Sequence, residues 1–269
     1  LLLGIIWSSL ARYYFFVTTS NWGLWHHKIL VDELLQLPVV LDISHPAAKI
    51  IINIVDKLRD YNPQIQDIFH PEGVPFHEIE SQHRQWETEL DEAVFDLYCL
   101  SEEQKDLIRD CCEVTLPFFY QPYNSIGSMP AVKKGDFSWL ETYTRIFARR
   151  WNAYLNPETE LRAEVHLGAH ENMLAVEFFP SDSSDPWSLE PKTDTWSCIL
   201  EEISTVLPQP MGISQIILDG IVHAVTDNSI IIIKRNEKRF WTRSLAREDA
   251  DATLCKRMMD GFALGKVSG

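Results

Sequence analysis

Residues 226–235 read Thr226-Asp227-Asn228-Ser229-Ile230-Ile231-Ile232-Ile233-Lys234-Arg235. Side chains alternate between the two faces of a strand, so four consecutive isoleucines predict a strand covered on both sides. The Asp227-Asn228 pair suits a tight turn, and residues 214–226 ahead of it predict the partner strand. Further out, Ala163–Leu167 and Met173–Phe179 predict two more strands, joined by Gly168-Ala169-His170-Glu171-Asn172. Amphipathic helices surround these strands. Phe137, Leu140, Thr144, Phe147, Trp151 and Leu155 mark the first stripe. Trp196, Ile199, Leu200, Ile203 and Leu207 mark a second, and a last helix runs from about Arg243 to Phe262. The order α-β-β-α-β-β-α predicts a compact α+β unit with a small, mainly antiparallel sheet.

The half of the chain before this unit reads as helical. Ser44 stands as a candidate cap ahead of Pro46, and Ile50, Ile51, Ile54, Val55 and Leu58 follow helical spacing. Pro63, Pro71, Gly73 and Pro75 predict a long loop over 61–80. Trp86, Leu90, Ala93, Val94 and Leu97 then fall on one stripe. Ser101-Glu102-Glu103-Gln104 is a capping-box start for a helix carrying Leu107, Ile108, Cys111 and Cys112. Pro117 to Pro130 reads as a linker. The fold class is therefore α+β, with a helical N-terminal half.

Of the 269 residues, 45% are hydrophobic and 23% charged, which is enough apolar content for a sizeable core. The opening apolar run is interrupted by Arg12 and is too short for a membrane span, and it lacks the basic region of a signal peptide. No membrane association is expected. Five cysteines without a CxxC pair point to reduced thiols in a cytoplasmic compartment. A net charge of −15 argues against a surface given over to nucleic acid, because duplex binding draws its affinity from neutralised phosphates. The charge is uneven: residues 77–113 carry −9 and residues 230–269 carry +4. One face could thus meet DNA while another meets a protein partner; equally, both runs could be solvated helix faces.

The run Glu87-Thr88-Glu89-Leu90-Asp91-Glu92-Ala93-Val94-Phe95-Asp96-Leu97-Tyr98-Cys99-Leu100, followed by Ser101-Glu102-Glu103-Gln104-Lys105-Asp106-Leu107-Ile108, resembles a helix–turn–helix start near the C-termini of adenine-specific DNA methyltransferases and fused restriction–modification enzymes. Upstream, Trp7-Ser8-Ser9-Leu10-Ala11-Arg12-Tyr13-Tyr14, Asn21-Trp22-Gly23 and Asp32-Glu33-Leu34-Leu35-Gln36-Leu37-Pro38 look like the closing part of a target-recognition domain in the same enzymes. The resemblance covers about the first 115 residues. It implies that 1–44 end a target-recognition domain, 45–127 form a helical spacer and linker, and 128–269 form an accessory domain. Double-stranded DNA and an upstream methyltransferase domain or partner subunit would be the partners. S-adenosylmethionine would be bound upstream of residue 1, with no cofactor in this segment. The family often has Gly where Cys99 stands, at a left-handed helix end that suits Cys poorly, so a different turn is expected here.

Motifs for chemistry in these residues are lacking. The Asn/Asp-Pro-Pro-aromatic element that holds a flipped adenine does not occur: Asn62-Pro63, Asn156-Pro157 and Asp185-Pro186 lack the second proline. No strand carries the Asp/Glu-x-Lys of metal-dependent nucleases, since Glu177 is followed by Phe178-Phe179. His166 and His170 flank a turn near Glu164 and Glu171, yet no cysteine lies near, and no metal or catalytic residue is assigned. Binding remains. Ser20, Asn21, His26, His27 and Lys28 are groups that reach phosphates or base edges, or form a plain polar loop. Tyr13, Tyr14, Phe15 and Phe16 could stack on a base or belong to the core. Lys234, Arg235, Lys238 and Arg239 form the densest basic patch, continuing to Trp241 and Arg243, on what reads as a hairpin tip. Such a tip also serves simply to protect a sheet edge. Arg145, Arg149 and Arg150 are a second basic candidate. The expected function is non-catalytic DNA target recognition and positioning; the alternative is an acidic protein-interaction module of a multi-subunit defence complex.

Overall fold

The computed structural model describes residues 1–19, 29–66, 68–133, 135–156, 158–168, 170–182, 189–206 and 221–259. The chain divides into two compact units, Leu1–Cys112 and Glu113–Gly269. Among the described residues no helix is long and apolar enough to cross a membrane.

The first unit is helical: α1 (Leu2–Trp7), α2 (Ser9–Thr18), α3 (Val31–Leu34), α4 (Pro46–Asp60), α5 (Phe76–Leu97) and α6 (Glu102–Asp110). Its core gathers Ile5, Phe15, Ile51, Ile54, Leu90 and Val94 from four of these helices. Phe15 is therefore a core residue, as a run of apolar neighbours suggests. A Cβ at Gly4 would stand 2.3 Å from Ile51 Cγ2, so only glycine lets α1 approach α4 this closely. Asp91 of α5 accepts from the Ser9 backbone N–H (2.7 Å) and hydroxyl (2.6 Å), satisfying the first turn of α2. Burial pushes the Cys111 and Cys112 thiols up to about 11 and about 12, which keeps them protonated and unreactive at neutral pH.

Three local details differ from the pattern reading. α4 is capped by His45, whose Nδ1 accepts from the Ala47 N–H at 3.2 Å, while Ser44 donates to Asp42 instead. α5 begins at Phe76, directly after Pro75 fixes the entering chain, so the loop is shorter than 61–80. Cys99 does adopt the left-handed turn, at φ 53°. There Leu100 N–H donates to Phe95 O and Cys99 N–H to Asp96 O, both at 3.0 Å, the paired bonds of a Schellman end. A side chain at positive φ costs about 1 kcal/mol. Cys99→Gly should therefore stabilise the first unit by about 0.5–1 kcal/mol. Denaturant titration would show it as a raised midpoint at unchanged slope, and a lowered midpoint would contradict it.

The second unit contains α7 (Leu116–Tyr120), α8 (Ser138–Asn152), β1 (Glu160–Leu167), β2 (Met173–Ser181), α9 (Trp196–Val206), β3 (Val222–Val225), β4 (Ile230–Arg235) and α10 (Arg243–Met259). The fold is α+β, with the sheet confined among the described residues to these four antiparallel strands, in the order β1-β2-β4-β3. One face carries Leu161, Val165, Val176, Phe178, Ile230 and Ile232 and packs on α8 and α10. The opposite face carries Ala175, Ile231 and Ile233 and meets Ile199 and Ile203 of α9. All four isoleucines are fully buried, which is why the run lacks alternation. The segment from Pro117 to Pro130 is folded onto this unit: Lys238 N–H donates to Met129 O at 2.8 Å, and Gly127 lies against Phe118. The partner strand expected over 214–226 is seen as Val222–Val225; residues 207–220 and the end of the last helix, 260–269, lie outside the described residues.

Candidate functional site

The basic residues singled out in the sequence have different fates. Asn21, His26, His27 and Lys28 lie outside the described residues, as does Ser20. Arg145 and Arg149 are exposed on α8, and Arg145 is paired with Glu141 at 2.5 Å. Arg150 holds Asp251 of α10 at 2.7 Å, and Arg243 holds Glu113 at 3.0 Å. These ion pairs are surface contacts of small energetic weight, but each offsets a charge that a phosphate would otherwise meet.

Lys234 is not at a hairpin tip. It points from β4 into the layer between the sheet and the helices α8 and α10, with no exposed surface. The reason is parity: Lys234 shares the face of Ile230 and Ile232, while Arg235 emerges on the other side of the pleat. Its ammonium meets the Asp249 carboxylate of α10, donates to Phe240 O at 3.0 Å, and lies 5.3 Å from the ring centroids of both Tyr143 and Trp241. Asp249 is also reached by the Tyr143 hydroxyl (2.5 Å) and by His223 Nε2 (2.8 Å). Burial raises the Asp249 carboxyl, but the His223 hydrogen bond, the Lys234 charge and the Tyr143 hydroxyl together hold it below its ordinary value. Burial lowers Lys234, and Asp249 opposes that shift. Burial also drives Tyr143 well upward, so its hydroxyl stays protonated and donates. Four side chains from α8, β3, β4 and α10 thus satisfy one another. Nothing in the sequence tied Tyr143, His223 and Asp249 to Lys234.

Of the remaining basic residues, Arg235 and Arg239 border a groove of about 770 Å³ in the second unit. They line it with Phe118, Tyr123, Met173 and Asn236. Tyr123 is 95% exposed. Arg239 lies over Phe118 and Phe240, with its guanidinium 4.3 and 4.4 Å from their centroids, and pairs with Glu237 at 2.7 Å. Lys238 sits 4.8 Å over Trp139. Asn236 anchors the wall by bonding Val132 N–H and O at 2.9 and 3.1 Å and Glu171 O at 3.0 Å. Arg239 is half-buried by its aromatic contacts, whereas Arg235 is exposed. The groove thus sets two guanidinium groups among aromatic rings, with Glu171 and Glu237 also in its lining.

The paired histidines near the β1–β2 turn separate. His170 is exposed, whereas His166 is buried on the α9 face, across the ladder from Ala175 and beside Glu164 and Glu177. Glu171 belongs to the turn, at φ 56°.

Compared with known proteins, the chain matches no family model, no curated protein and no solved structure.

Proposed function

We propose that this chain is a non-catalytic, DNA-contacting part of a DNA methyltransferase or restriction–modification-like protein, in which it contributes target recognition and positioning. Methyl transfer from S-adenosylmethionine is then the work of another domain or subunit. The observation that carries the reading is the groove, where Arg235 and Arg239 stand beside Phe118 and Tyr123. Guanidinium groups bind phosphate oxygens in pairs, and aromatic faces accept a base or sugar, so the groove combines both kinds of interaction in one place. Cytoplasmic action on double-stranded DNA fits this reading.

Anisotropy of a labelled duplex at about 50 and about 200 mM salt tests it. Wild type should bind more tightly at low salt. Arg235→Ala and Arg239→Ala together should weaken binding roughly evenly across sequences and reduce the salt slope by about 1 for each phosphate that is no longer neutralised. Equal affinity and slope in the double variant would show that DNA does not bind in the groove.

A second reading is favoured by a specific feature: Glu78, Glu80, Glu87 and Glu89 are exposed along α5, in a chain of net charge −15. These make an acidic surface suited to a basic partner protein in a multi-subunit complex. Failure of the wild-type chain to bind duplex even at low salt would favour this interaction module.

A further inference from the structure

We propose that Glu164, His166 and Glu177 form a binding site for one divalent transition-metal ion, zinc foremost, on the α9 face of the sheet. The site owes nothing to the DNA reading. Glu164 of β1 and Glu177 of β2 are directly opposed in the antiparallel ladder, and His166 lies two residues along β1, hence on the same face. Two like charges facing each other across strands are destabilising unless a cation lies between or beside them. One ligand atom from each residue can be chosen so that all lie within 4.8 Å of one another.

The imidazole is the decisive group. Its side chain is 4% exposed, and Nδ1 lies 2.6 Å from Thr195 Oγ1. In the tautomer whose Nδ1 donates to the threonine, which we assign because the hydroxyl oxygen can accept there, Nε2 keeps a bare lone pair. That atom is buried, makes no hydrogen bond among the described residues, and lies 3.3 Å from Glu177 Oε2. A lone pair held against a carboxylate repels it. A metal ion resolves the repulsion, and the spacing fits: bonds of about 2.0–2.2 Å at tetrahedral angles separate neighbouring ligand atoms by about 3.3–3.5 Å. Thr195 is then the outer partner that fixes ring orientation and tautomer, the role such groups play around zinc-bound histidines. Imidazole with two carboxylates suits zinc or manganese better than magnesium, and three protein ligands leave one tetrahedral position open to an exchangeable water.

Lys192 supplies the competing charge. Residues around it run beside β1, with Lys192 N–H donating to Val165 O and Leu167 N–H to Lys192 O, both at 2.9 Å. This places the ammonium 2.5 Å from Glu164 Oε2, yet the side chain is 45% exposed and can swing into solvent when an ion arrives. Glu164 and Glu177 are 35% and 20% exposed, which leaves the ion a path inward.

The test is calorimetric titration of the whole chelator-treated chain with Zn²⁺ alone, with cobalt(II) absorption as a check for four-coordinate geometry. One tight equivalent should bind wild type and be lost in His166→Ala. Thr195→Val should weaken binding about 10–100-fold. Lys192→Met should bind several-fold more tightly, a gain that a misfolded variant would not show. Zinc binding alike in wild type and His166→Ala overturns the site, as does the absence of a tight equivalent in wild type. A Lys192→Met chain that binds no more tightly overturns the assignment of Lys192 as the ion's competitor.

Discussion

Asp249→Ala should cost the second unit about 3–5 kcal/mol, the usual penalty for leaving a buried charge without its partner. The ammonium of Lys234 has no exposed surface, so water cannot replace the missing carboxylate. The Tyr143 hydroxyl, whose residue is also fully buried, loses its acceptor at the same time. A loss of this size lowers the melting temperature of a unit this large by roughly 6–20 °C. The triple variant Lys234→Met, Asp249→Leu, Tyr143→Phe should recover most of it, because an apolar replacement of a whole buried network is close to neutral. His223 is 29% exposed and can turn to water. Thermal melts of the two variants decide the matter. An Asp249→Ala chain melting with wild type would show that the lysine is either neutral or hydrated in the folded protein.

The pH dependence follows from the direction of the Asp249 shift. Its folded-state pKa lies below the ordinary 3.8, so the carboxylate's contribution is complete above the unfolded value and disappears as the pH falls through the depressed folded one. The stability gap between wild type and Asp249→Ala should accordingly be widest above about pH 4 and narrow in more acidic solution.

Phe147→Ala should be comparably severe, at about 3–5 kcal/mol. The ring is fully buried between α8 and the sheet and stacks on Phe178 of β2, with centroids 4.0 Å apart and planes 15° from parallel. Its removal forfeits both the transfer energy and the dispersion attraction of a site lined by a stiff sheet, which has little room to collapse. Phe147→Leu, which keeps much of the volume, should lose less than half as much. Equilibrium urea unfolding gives both values, and equal losses for the two substitutions would show that the site collapses freely around a smaller side chain.

Much of the fold was legible because elements leave local signatures. Two apolar runs joined by Gly168 to Asn172 marked β1 and β2, period-3.6 stripes marked α4, α8 and α9, and Ser101 to Gln104 announced α6 by a box that indeed forms, with bonds of 3.3 and 2.9 Å. The Ile230–Ile233 run predicted a strand covered on both faces, and α8 with α10 on one side and α9 on the other provide the cover. Where the molecule departs from its sequence pattern, a stronger local effect acted. Pro75 started α5 earlier than its apolar stripe suggested, and His45 took the cap from Ser44. The left-handed end at Cys99 formed despite its side chain, because two backbone hydrogen bonds depend on it.

The chemical sites were far less legible. Lys234 and Arg235 are adjacent basic residues, and composition treats them alike, yet strand parity sends one into the core and the other to the groove. Asp249, which accounts for the buried lysine, comes from another element, and so do Tyr143 and His223. Glu164 and Glu177 likewise became neighbours only through the ladder register of β1 and β2. By itself the sequence determined most of the helices and strands and that the unit is α+β, since those choices depend on side chains a few residues apart, although Pro117 to Pro130, which reads as a linker, holds α7. Only the tertiary structure decided which polar groups meet, because a buried charge or a buried imidazole is placed by strand register and by packing across the sheet, and neither is written in any one segment.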